Sequence, residues 1–223
     1  MATSFKDKIK AYFTAPDFMK RFIVMMVGVF FMGFFLTFLV EVDLGTDPCT
    51  FMNLSVSDRL PISFGTWQLV LNSFLFIFVI LFDIKQIGPG TLANMTLIGY
   101  IVDFFRWVFS KTIPEYYFKT FPYRGVIFVA ALFLFIIAVS LYINANMGVS
   151  PYDAMPQIIS DKVLKKVPFK FVRMAYDFMV IGIGILFGGH PNIGIVLMAL
   201  CLGPVISFVG GYLNKHVFRL MKN

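Results

Sequence analysis

Three acidic residues, Glu41, Asp43 and Asp47, crowd one short stretch of an otherwise apolar chain. Further along, Asn144, Asn146, Ser150 and Asp153 hold the same position relative to an apolar run of their own. A carboxylate partly removed from water holds its proton more tightly and attracts cations. This chemistry suits proton coupling and a cationic, zwitterionic or amphipathic solute. A second polar set lies inside apolar runs: Arg173 and Asp177 are four residues apart, so they share one helix face. Gln68 and Asn72 stand at the corresponding depth of the first half. Polar and ionisable residues at such depth mark substrate or ion paths. The expected substrate-binding set is therefore Asp43, Asp47, Asn144, Asn146, Ser150, Asp153, Gln68, Asn72, Arg173 and Asp177.

Each polar stretch is built as a break. Gly45 and Gly148 interrupt a helix, and Pro48 and Pro151 restart one three residues later. Asp47 and Ser150 precede those prolines as N-caps, and proline is tolerated at the first helical position because its missing N–H would be unpaired there anyway. Ser150 and Asp153 also have capping-box spacing. New helix N-termini offer free N–H groups and partial positive charge. The expected site lies where the two breaks approach each other.

The surrounding composition belongs to a membrane. Hydrophobic residues make up 59% of the 223 and charged residues 14%, with 29 phenylalanines and a mean hydropathy of +0.83. Soluble domains carry about 25% charged residues. The net charge of +7 comes from basic residues between apolar runs, the positive-inside pattern, so no nucleic-acid partner is expected. Cys49 and Cys201 lie in unrelated contexts, and His190 and His216 have no partner at ligand spacing. No Ser-His-Asp set, phosphate loop, HExxH or CxxC is present. The expectation is accordingly no metal, no cofactor and no enzyme.

The pattern predicts an all-α polytopic membrane protein with six transmembrane helices. A cytoplasmic amphipathic segment over residues 1–21, with lysines opposite Phe5, Ile9, Tyr12 and Phe13, leads into the first span and shows no cleavable-signal pattern. The predicted spans cover residues 22–40, 66–82, 91–109, 125–143, 169–187 and 193–213, each near the length a bilayer needs. A short polar helix follows the first and the fourth. Gly28, Gly33, Gly99, Gly182, Gly184 and Gly203 are expected at close helix contacts, and Asp103 with Arg106 as a structural pair.

A shift of 103 positions lays Gly45 on Gly148, Pro48 on Pro151, Ser57 on Ser160 and Asp58 on Asp161. The chain thus divides into a first repeat (22–109), an outer connector (110–124), a second repeat (125–213) and a cytoplasmic tail (214–223). Three spans per repeat is an odd number, which inverts the second copy in the membrane. Charge agrees: residues 41–64 hold Arg59 as their one basic residue, whereas the second copy has Lys162, Lys165 and Lys166. Both termini are then cytoplasmic, in the cell (inner or plasma) membrane.

The motif Asp43–Pro48, then Ser63-Phe64-Gly65, then Gly88-Pro89-Gly90-Thr91, repeated in degraded form at Asn146–Pro151 and Gly194, resembles the YczE/YyaS group of bacterial membrane proteins and, more distantly, the YitT proteins. The resemblance covers roughly residues 20–213 and implies a transporter or a membrane accessory to secondary metabolism. Asn146 stands where an acid is more usual in that group. Together these readings predict a secondary carrier of a small organic solute, proton-coupled and working by alternating access of two inverted repeats. Two alternatives stay open: a substrate-binding module that needs an energising partner, and a non-transporting accessory to biosynthesis. The expected partners are the solute and the lipid bilayer, with a homodimer left open.

Overall fold

The structure is a computed structural model that describes residues 17–215; the expected amphipathic helix and the His216 tail lie outside them. Among the described residues the chain is helical without strands: α1 (Phe18–Val42), α2 (Pro48–Ser57), α3 (Phe64–Asp83, with a 3-10 turn over Ile84–Gln86), α4 (Pro89–Thr112), α5 (Tyr116–Lys119), α6 (Tyr123–Asn144), α7 (Pro151–Ile158), α8 (Phe169–Leu186) and α9 (Ile193–Leu213). Five of these, α1, α3, α4, α6 and α9, are long and apolar enough to cross a membrane. α8 forms where the fifth predicted span was placed, but Lys170, Arg173 and Asp177 set it apart from the other five. Over its described residues the chain has the build of a helical, multi-pass membrane protein.

α1 is the hub. Met25, Val29, Met32, Leu36 and Leu39 interlock with Ala131, Phe135, Ala138 and Tyr142 of α6 in the main apolar core. Gly28 lets the two backbones touch: a Cβ there would stand 2.8 Å from the Tyr142 nitrogen, the small-residue contact that membrane helices use to approach closely. A seam of rings ties α1 to α4, with Phe34 against Phe105 at 4.7 Å and Phe38 against Phe109 at 4.6 Å. Gly33, Gly99 and Gly184 also sit at tight contacts, against Ile101, Gly65 and Phe51. Gly182 and Gly203 do not; nothing lies within 4 Å of a Cβ added at either.

The sense of α1 and α6 follows from two arginines. Arg21, near the start of α1, donates to the carbonyls of Ala145 and Asn146 at the end of α6. Arg124, near the start of α6, donates to the carbonyls of Val42 and Asp43 at the end of α1 (2.6 and 2.8 Å). The helices are therefore antiparallel, and each arginine fills carbonyls that a helix end leaves unpaired. Arg21 and Arg124 are themselves 103 positions apart, as are the residues they hold.

The short helices pack crosswise: α2 chiefly against α8, and α7 chiefly against α3. Along α2 the contacts climb α8, from Met52 with Val180, through Phe51 with Gly184, to Arg59 with the Phe187 carbonyl. Along α7 they follow α3, from Met155 beside Leu71 and Leu75 to Ile158 with Val79. So the chain turns inward after α1 and after α6, starts a helix about half-way along its neighbour, and returns to the end it left.

Candidate functional site

The turn inward is specified residue by residue. Asp43 and Asn146 close α1 and α6 in left-handed backbone (φ 49° and 52°), a conformation that Asp and Asn enter at lower cost than other side chains. Gly45 and Gly148 follow at φ 147° and 98°. Asp47 and Ser150 then cap α2 and α7, and Pro48 and Pro151 take the first helical position, as the sequence predicts.

The two caps use one set of parts in opposite order. Asp47 accepts the Thr50 N–H at 3.0 Å and the Thr50 hydroxyl at 2.6 Å. In the second copy the hydroxyl is on the cap: Ser150 accepts the Asp153 N–H at 3.0 Å and donates to the Asp153 carboxylate at 2.7 Å. The expected capping box is thus closed differently, because the short Asp153 side chain bonds the Ser150 hydroxyl.

These caps converge on α8. Arg173 Nε donates to Asp177 Oδ2 at 3.0 Å and Nη1 to Asp153 Oδ1 at 2.8 Å. Tyr152 donates its hydroxyl to Asp177 Oδ1 at 2.9 Å, packs at a tilt against Tyr176 with ring centroids 5.0 Å apart, and lies under the Arg173 guanidinium. Cys49, Met52 and Trp67 complete the same cluster, and Asp47 lies within electrostatic reach of Asp153 and Arg173. One guanidinium thus pairs with two carboxylates, Asp153 and Asp177, where the N-termini of α2 and α7 draw together.

Gln68 and Asn72 are buried on α3 beside this cluster, with the Asn72 amide donating to the Gln68 carbonyl at 3.0 Å. Asp43 and Asn146 are not in it. They lie at opposite ends of the α1–α6 pair, and Asn144 bonds back to the Ser140 carbonyl and rests against Gly210. What approaches across the molecule is therefore the pair of short-helix starts, not the pair of helix ends.

Asp43 instead borders a cleft of about 470 Å³ at its own end of the bundle, with Asp58, Arg59, Arg106, Lys119, His190 and Asn192. Arg106 pairs with Glu41 at 3.0 Å, while Asp103 accepts the Gly65 N–H at 2.9 Å. The expected Asp103–Arg106 pair is absent because each side chain finds a closer partner on a neighbouring helix. Among the described residues, no group of three or more His, Cys, Asp or Glu side chains is placed to hold a metal ion.

A model of the family of unknown function DUF6198 matches residues 19–210. The chain belongs to that family. It is 23% identical over 189 residues to the uncharacterized membrane protein YczE of Bacillus subtilis (strain 168), covering 84% of each chain. It is 25% identical over 185 residues to the uncharacterized protein YyaS of the same organism, covering 82% of this chain and 88% of YyaS. No solved structure matches it. The match takes in both breaks, so the Arg173 network and its flanking half-helices lie inside the DUF6198 region.

Several residues of this DUF6198 site escape a reading of the sequence. Tyr152 reaches Asp177 across 25 positions, a distance no local spacing encodes. Asn53 looks like an ordinary polar residue of a short helix, yet it is 1% exposed. Arg21 and Arg124 did carry a signal, the repeat interval itself, which the register of the apolar runs hides behind the more frequent lysines.

Proposed function

We propose that this chain is a secondary carrier of a small organic solute, with two inverted three-span repeats that open in turn to opposite sides of the membrane. One observation carries the reading: two half-helices start from opposite ends of an antiparallel pair and bring their N-termini to a single charge network around Arg173 and the buried Asp177. Irregular backbone at membrane depth is tolerated where it lines a cavity, and broken helices at matching places in two halves are the transporter arrangement. α8 supplies the sixth span; Arg173 and Asp177 belong to the network, and Lys170 sits exposed in its first turn. The cleft beside Asp43 is the way in from that side, and the mixed charges of Asp58, Arg59 and Lys119 suit a polar solute. Proton coupling runs through the carboxylates, Asp47 and Asp177 foremost.

The test is flux. Purified chain in liposomes, with a pH-sensitive dye inside, is challenged with labelled small amines, amino acids and organic acids. Saturable accumulation by the chain alone is expected. Asp43→Asn, whose side chain also accepts left-handed backbone, should fold with a melting temperature close to the parent's and lose or uncouple transport; unchanged activity across pH removes the carboxylate from the mechanism. Binding without flux would instead indicate a capture module that needs an energising partner.

A further inference from the structure

The cleft of about 470 Å³ beside Asp43 has the size of a small-molecule site, for which about 300–1,000 Å³ is usual. Asp43, Asp58, Arg59 and Lys119 all border it and all are exposed. Among the described residues, none of these four stands in an ion pair. Arg106, in the same lining, is by contrast taken by Glu41. The two cationic heads are placed without being neutralised. Arg59 Nε donates to the Phe187 carbonyl at 3.0 Å, which lays the guanidinium against Gly188 and leaves its other donors over. Lys119 Nζ reaches the Glu41 carbonyl at 3.4 Å and keeps two more N–H donors. The acids are set by their backbones: Asp43 ends α1, its carbonyl held by Arg124 and Asn192, and Asp58 ends α2. The buried part of the lining is apolar, with Phe51 and Ile195 at 7% and 3% exposure and Leu54 half-buried.

From this we infer that the solute, on the carrier reading above, is a small zwitterion with an apolar body, an amino acid of the leucine type, taken up in this cleft. Its carboxylate meets Arg59 and Lys119, its ammonium meets Asp43 and Asp58, and its side chain rests on Phe51, Leu54 and Ile195. A guanidinium grips a carboxylate through paired, charge-assisted hydrogen bonds, and the Arg59 fork is already held in place for it. A simple amine would meet two cations that it cannot compensate, and a simple acid would meet two carboxylates. A solute with both charges complements both pairs at once.

The purified full-length chain in detergent is titrated with leucine, against leucinol (the amine without the carboxylate) and isocaproate (the carboxylate without the amine), and thermal stabilisation is read. Leucine should stabilise and the other two should not. Lys119→Gln and Asp58→Asn should each weaken leucine by about fivefold, the upper end for a partly exposed ion pair. Lys119→Arg, which keeps the charge, should bind leucine as the parent does. Both side chains are exposed, so without ligand each variant should melt with the parent. Stabilisation by leucinol or isocaproate equal to that by leucine, or full leucine affinity in both Lys119→Gln and Asp58→Asn, would overturn the assignment. Leucine binding without flux in liposomes would end the carrier reading and leave this site standing. Flux of other solutes with no response to leucine would do the reverse.

Discussion

Arg173→Ala is expected to be the most damaging single change in the chain. It strips Asp177, whose side chain is 5% exposed, of its charged partner and leaves it only the Tyr152 hydroxyl. The same change frees Asp153, which the guanidinium holds from across the α7–α8 packing. Removing one member of a buried ion pair costs about 3–5 kcal/mol, because the other charge is left uncompensated. The low end applies here, since Arg173 itself keeps 31% exposure. In a detergent melt the variant should unfold well below the parent. Adding Asp177→Asn should recover part of the loss, because the stranded charge is then gone and the interaction is shared between neighbours. Arg173→Lys should recover little, since an ammonium cannot span two carboxylates with fixed, diverging donors. A double variant no better than the single would mean that the network does not carry the stability assigned to it.

The second large effect belongs to the breaks. Gly148→Ala places a Cβ 2.5 Å from the Gly88 nitrogen and from the Thr91 hydroxyl, at φ 98°. Gly45→Ala places one 2.7 Å from the Gly194 backbone, at φ 147°. Strain of the backbone and overpacking against main chain each contribute about 1–3 kcal/mol, and the Gly88 and Gly194 contacts are main chain, which cannot step aside. Both variants should lose the monodisperse peak of the parent in size-exclusion chromatography. Gly182→Ala is the control: it is a helical glycine with open space around it, and it should elute as the parent does. Loss of folding in Gly182→Ala, or its retention in Gly148→Ala, would contradict the contact geometry.

The contrast among these residues explains what could be read in advance. Caps, first-turn prolines and the Arg173–Asp177 pair are local, settled within four residues by helix geometry, and all three were legible. Asp103 and Arg106 have nearly the same spacing, yet Glu41 on α1 and Gly65 on α3 claim them; a spacing rule cannot see a better partner on another helix. Asp43 and Asn146 show a subtler limit. Their side chains invite a chemical reading, but what the two share is a left-handed backbone, and that requirement accepts acid and amide alike. The Asn in place of an acid at the second break is thus compatible with one conformational role in both copies. Convergence of Cys49, Tyr152 and Asp177 depends on how far each break turns inward, which no period in the sequence records.

On the carrier reading the two breaks serve opposite sides of the membrane, and labelling from each side in turn separates the possibilities. In a chain with Cys49→Ala and Cys201→Ala, single substitutions Arg59→Cys and Lys162→Cys mark the returning ends of the two half-helix segments. A membrane-impermeant maleimide is applied to intact cells and then to permeabilised ones. Arg59→Cys should react in intact cells and Lys162→Cys only after permeabilisation. Reaction of both positions from the same side would contradict the inverted arrangement, and with it the alternating carrier.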